Sequence, residues 1–282
     1  MKAPAKYWNN IGGQAHCSLC PHQCVITEQQ RGFCAVRKHV NGKLISENYG
    51  QITSLALDPI EKKPLRHFYP GSFILSAGSF GCNMQCSFCQ NHAIAQAPAD
   101  STYLPPGQLV DIAVQTPDNI GVAFTYNEPT VGIEYILACA PLLKEAGLQV
   151  VLVSNGQINA QPLADLAPCV DAWNIDLKSF SEQFYRQHGG DLTTVQQTIA
   201  TAAQTAHVEI TTLIIPGEND NDQEISSLST WLSGISEEIP LHLSRFFPRY
   251  RMTDKLPTPP ETLYRLAAIA AKRLRHVHIG NI

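Results

Sequence analysis

From residue 73 onward the apolar positions fall into a regular alternation. The runs "FILSAG" (73–78), "GVAFTY" (121–126), "QVVLVS" (149–154), "DAWNIDL" (171–177), "VEITTLII" (208–215) and "PLHLSRFF" (240–247) are short and rich in β-branched residues, and they read as strands. The stretches 131–146, 192–206, 222–235 and 260–274 lie between or after them and carry helical spacing. Alternating strands and helices predict βα units on a parallel sheet. Six such units fit a partial (β/α)6 barrel, with a doubly wound sheet as the alternative. In a barrel the working residues gather at the C-terminal ends of the strands. There stand "NEP", "SNG", "DLK", "PGEND" and "RFFP", each just after its strand.

Residues 1–72 have a different texture. They hold four cysteines, many polar positions and the proline-rich "LDPIEKKPLRHFYPGS" (57–72). We read 1–72 as a small Cys-rich metal-binding region with a connector, and 73–282 as the partial barrel.

Composition narrows the function classes. The net charge is −4 and no run of Lys and Arg marks a nucleic-acid surface. No stretch of about 18 apolar residues suits a bilayer span. The N-terminal "MKAPAKYWNNIGGQ" lacks the apolar core of a signal peptide. A cytoplasmic protein is expected. Nine cysteines in such a chain favour thiolate chemistry over disulfides. Cys139 and Cys169 stand alone and read as small core residues.

The other seven cysteines form two groups. "FGCNMQCSFCQN" places Cys82, Cys86 and Cys89 at C-x3-C-x2-C after the first strand. Three thiolates leave one iron of a [4Fe–4S] cube open, as an open catalytic metal position does. "CSLCPHQC…GFC" places Cys17, Cys20, Cys24 and Cys34 at C-x2-C-x3-C-x9-C. Four thiolates suit zinc or a second iron–sulfur cluster. The sequence leaves both open, with a slight preference for a structural site. His16 and His22 read as solvated loop residues.

The C-x3-C-x2-C loop, with Phe88 before its last cysteine, resembles the radical S-adenosylmethionine superfamily. The resemblance covers about residues 73–282. It implies a cube held by Cys82, Cys86 and Cys89, with S-adenosylmethionine on the open iron and a 5′-deoxyadenosyl radical as its product. "TYNEPT" resembles the family's Gly-Gly-Glu-Pro segment, which implies that Asn127 and Glu128 meet the methionine amino group. "VSNG" resembles a Thr-Asn-Gly segment, placing Ser154 and Asn155 near ribose or carboxylate. "DLK" matches glycyl radical enzyme activators, with Asp176 and Lys178 beside the cofactor. "IIPGEND" resembles a turn near the adenine.

Within the superfamily the chain resembles the pyruvate formate-lyase-activating branch, and there the radical enzyme of the AmmeMemoRadiSam system. That resemblance implies an electron donor such as flavodoxin or ferredoxin, and either a glycyl radical enzyme as protein substrate or AmmeMemoRadiSam companions as partners. Two departures from true activators stand out. "FFPRYRM" puts Arg249 and Tyr250 where activators often show Pro-Tyr-His. Val153 takes the place of an Asp in a monovalent-cation site. A small molecule or another protein residue is therefore the rival substrate, and a non-catalytic iron–sulfur or zinc module the rival of another class.

Overall fold

The computed structural model describes residues 3–96 and 99–282. Its centre is an eight-stranded sheet. Seven strands run parallel: β1 (Phe73–Gly78), β2 (Asn119–Thr125), β3 (Gln149–Ser154), β4 (Ala172–Asp176), β5 (His207–Ile214), β6 (Leu241–Arg245) and β7 (Val277–Gly280). They stand in chain order across the sheet, and Ser54–Pro59 adds an antiparallel edge strand beside β1. This is the α/β partial barrel that the alternation predicts, with one parallel strand more than the six runs suggest.

The strands read as apolar runs because both their faces are covered. On β3, Val150, Val151 and Leu152 are all fully buried. Val151, Ala123, Ile74 and Ala172 share one cluster with Ile60 and Leu65 of the connector. The alternate positions Val122, Phe124, Val150 and Leu152 belong to the larger cluster that includes the helix residues. The longer helices are α1 (Pro106–Gln115), α2 (Ile133–Glu145), α3 (Ala160–Leu166), α4 (Leu192–Ala202), α5 (Asp222–Ser233) and α6 (Pro260–Ala270). Asp191 and Asn221 cap α4 and α5 through the amides of Thr194 and Glu224, and Pro260 opens α6. Cys139 is fully buried on α2, as expected. Cys169 is only half-buried, in the short turn Ala167–Cys169. Among the described residues, no helix is long and apolar enough to cross a membrane.

The N-terminal region carries two small antiparallel sheets of its own, one of them holding Trp8–Ile11, Gln14–Cys17 and Val25–Ile26. It is fastened to the barrel by Arg37, whose guanidinium forms a buried ion pair with Glu134 of α2.

Candidate functional site

The C-terminal ends of the strands enclose a cavity of about 340 Å³. Cys82, Cys86 and Cys89 line it, together with Phe88, Asn127, Glu128, Ser154, Asn155, Asp176 and Lys178. These ten residues, all singled out from the sequence, therefore meet at one place. Parallel strands bring this about, because each successive strand delivers its last residues to the same rim.

The cysteine loop leaves β1 through Gly81, whose φ is +91°. A Cβ there would lie 2.4 Å from Val36 Cγ1 and 2.8 Å from the Cys34 carbonyl oxygen, so only glycine fits. Asn127 holds the turn. Its Nδ2 donates to the Phe80, Gly81 and Glu128 carbonyls, and its Oδ1 accepts from the Ser79 amide at 3.0 Å. Its side-chain amide is thus occupied with shaping the loop.

Glu128 is 3% exposed. Its Oε1 accepts from the Thr130 amide, the Thr130 hydroxyl and the Ser154 hydroxyl, and its Oε2 accepts the Asn155 amide at 2.7 Å. Burial raises its pKa against these four hydrogen bonds, which favour the carboxylate. The carboxylate ties the end of β2 to the end of β3, and Oε2 carries one of these hydrogen bonds against three on Oε1. Asn155 in turn donates to Asn83 Oδ1 at 2.9 Å and to Cys82 Sγ at 3.6 Å, inside the cysteine loop.

Lys178 Nζ donates to Asp176 Oδ2 at 2.8 Å. Burial opposes its charge, but Asp176 and then Cys86 hold its pKa well above the usual lysine value. Burial raises all three cysteine pKa values, that of Cys86 to about 11, while Lys178 pulls each of them down. One buried and two half-buried thiols beside one ammonium suit a group that takes them as thiolates. The Met84 amide and Asn155 Nδ2 already point hydrogens at Cys82 Sγ. Among the described residues no three Cys, His, Asp or Glu side chains close on a single ion. The three sulfurs stand around a shared space instead, as corner ligands of a cube do. The residues fit a [4Fe–4S] cluster.

Sequence reasoning missed several wall residues. Lys62 and Lys63 come from the connector, Thr211 and Ser244 from inside β5 and β6, and Asn281 from the chain end. Lys63 pairs with Asp58 at 2.8 Å and lies over the Tyr126 ring, and the Tyr126 hydroxyl donates to the same carboxylate. "PGEND" acts indirectly: Asn219 is fully buried and donates to the Lys178 carbonyl at 2.7 Å. His67 and Phe68 lie away from the cysteines and pack near the first residues of β5 and β7. Tyr250 stacks on His92 beside the cysteine loop, and the Arg251 amide donates to the Ser87 carbonyl.

A profile of the radical SAM superfamily matches residues 78–228, more than half of the chain. The chain belongs to the radical SAM superfamily. An uncharacterised protein of Methanocaldococcus jannaschii is 38% identical over 275 residues, covering 95% of this chain and 82% of that protein. The 7-carboxy-7-deazaguanine synthase of Geobacter sulfurreducens is 27% identical over 218 residues, covering 71% and 83%. Among solved structures, a domain of pyruvate-formate lyase-activating enzyme from Bacteroides vulgatus aligns with a TM-score of 0.50 at 16% identity, covering 57% of this chain and 99% of that one. Streptococcus suis SuiB bound to S-adenosylmethionine aligns at 0.55 and 14% identity, covering 71% and 48%. At these identities the structures establish a shared fold. Membership of the radical SAM superfamily implies a [4Fe–4S] cluster and S-adenosylmethionine.

Proposed function

We propose that the protein cleaves S-adenosylmethionine at a cluster held by Cys82, Cys86 and Cys89, and that the resulting radical abstracts hydrogen from a glycine Cα of a partner protein. One observation carries the reading: three thiols share a single cavity with Glu128, Asn155, Asp176 and Lys178. When bound, the reduced cluster supplies the electron that breaks the sulfonium bond. The protein's own part is placement. Lys178 offers a cation to a carboxylate, while Asp176 keeps the ammonium charged and aimed. Glu128 Oε2 offers an acceptor to an amino group. Phe88, Met84, Val153 and Leu213 supply apolar wall that keeps water from a radical.

The glycyl target is supported by the likeness to the activating-enzyme domain and by the "DLK" strand end. A small-molecule substrate, or another protein residue, is the second reading. The Arg249–Tyr250 segment in place of a histidine favours it, as does the deazaguanine synthase relative. A flavodoxin or ferredoxin is the proposed electron donor, AmmeMemoRadiSam companions are the proposed partners, and the cytoplasm is the proposed location.

The test is anaerobic reconstitution with iron and sulfide, reduction, addition of S-adenosylmethionine and an assay for 5′-deoxyadenosine. Product from the native chain and none from Cys82→Ala is expected. An intact cluster that yields no product would instead favour a non-catalytic iron–sulfur module. Deuterium passing from a Cα-deuterated glycine loop into 5′-deoxyadenosine would identify the glycyl target. Its absence, with cleavage intact, would move the substrate to the second class.

A further inference from the structure

The N-terminal cysteines form a second built pocket. Cys17, Cys20, Cys24 and Cys34 line one small cavity, with Leu19, Ile26 and Phe33 as apolar wall. We propose that these four cysteines hold a second iron–sulfur cluster of the four-iron class, seated against the loop that carries Cys82.

Charge supports an anionic occupant. Arg37 lines the same cavity and is 1% exposed. Its Nη1 donates to the Lys6 carbonyl and its Nη2 pairs with Glu134, but its buried Nε has no partner. A buried N–H left without an acceptor destabilises the fold. Sulfur ligated in this cavity would be an acceptor for it, and the guanidinium would offset the negative charge of four thiolates.

Spacing separates the two metals that four thiolates suit. Zinc binds sulfur at ~2.3 Å in a tetrahedron, which draws the four sulfurs to within ~4 Å of one another. Among the described residues no three such ligands close on a single ion, at the N-terminal cysteines as at those of the barrel. Both groups line a cavity, and at the barrel cysteines the superfamily's cofactor is a cube.

The two groups are also in direct contact. The Cys34 carbonyl abuts Gly81, the residue before Cys82. His22 lies between Cys20 and Cys24 in the chain; its Nε2 is 2.9 Å from the Asn83 carbonyl and its ring stacks on Phe33. It is therefore half-buried in this contact, where the sequence suggested a solvated residue. Asn159, just beyond the S-N-G segment, donates through Nδ2 to the Ser18 and Cys20 carbonyls. A cluster so placed would act as a one-electron carrier: a reduced flavodoxin- or ferredoxin-class donor loses one electron, and the second cluster accepts it and passes it on. The carrier role rests on the reading of the first site; the metal assignment does not.

The test uses the full chain with Cys82, Cys86 and Cys89 all changed to alanine, prepared anaerobically with iron and sulfide. About four iron and four sulfide per chain, with an EPR signal on reduction, are expected. One zinc per chain without sulfide, or no bound metal, would overturn the assignment. The native chain, fully reduced, should show EPR lines broadened by two neighbouring spins. A spectrum equal to the sum of isolated signals would overturn the carrier role. A companion variant with Cys17, Cys20, Cys24 and Cys34 changed to alanine should keep only the first cluster. If it fails to fold, the three-alanine variant still decides the metal.

Discussion

Glu128 Oε2 accepts the backbone amide of Asn155 at 2.7 Å, and the Asn155 side chain reaches Cys82 Sγ at 3.6 Å. A buried carboxylate at one strand end thus sets the position of a cysteine from another. Glu128→Gln would turn an NH2 group toward hydrogens that now point at an oxygen. We expect a stability loss of about 2–4 kcal/mol in the metal-free chain, and at least a hundredfold loss of 5′-deoxyadenosine formation. Thermal unfolding and the product assay check these separately.

Gly81→Ala should be costly for two reasons. The residue needs φ of +91°, and its new methyl would meet Val36 Cγ1 and the Cys34 carbonyl oxygen. We expect a loss of about 1–3 kcal/mol and weaker iron retention. Adding Val36→Ala should restore only part of the loss, because the carbonyl stays where it is. Denaturant unfolding and iron content read both effects.

Cysteines outside the two groups should behave as packing. Cys139 is fully buried on α2, so Cys139→Ala should cost about 1 kcal/mol and leave iron content unchanged. Cys86→Ala should abolish retention of the first cluster. Iron and sulfide analysis of the two variants, side by side, tests the contrast.

Acid should weaken the barrel through a histidine cluster. Burial, then His242, Arg66 and His67, lower the His278 pKa from 6.5 to about 4. The unfolded chain therefore binds more protons in that interval, and stability falls as pH drops from about 6.5 towards 4. Glu209 accepts from His207, His242 and the Arg66 and His67 amides; these hold its pKa far below 4.5 against burial. Its contribution is present above pH 4.5 and lost below, so it adds to the same trend at lower pH. Melting temperature measured from pH 7 to pH 4 should fall, and His278→Gln should flatten the upper part of the curve.

Much of the fold was legible because a parallel sheet covered on both faces writes itself as apolar runs. β1 and β3 match "FILSAG" and "QVVLVS" residue for residue. Helix α1 was not legible, since Pro105, Pro106 and Gly107 begin it with turn residues and its apolar stripe is short. β7 was missed because "VHIG" carries a histidine that points into polar company at His242 and His67.

By itself the sequence determined the chemistry: three thiols in one loop and polar strand ends in a fixed order, which chain order alone delivers to one rim of a parallel barrel. Tertiary structure decided what that order does not encode. Lys62 and Lys63 reach the cavity from a connector, and Asn127 turns its amide to the cysteine loop rather than to open space. The two cysteine groups read as separate regions along the chain, yet they touch through Cys34 and Gly81. That contact depends on packing between distant segments, and no local pattern of residues records it.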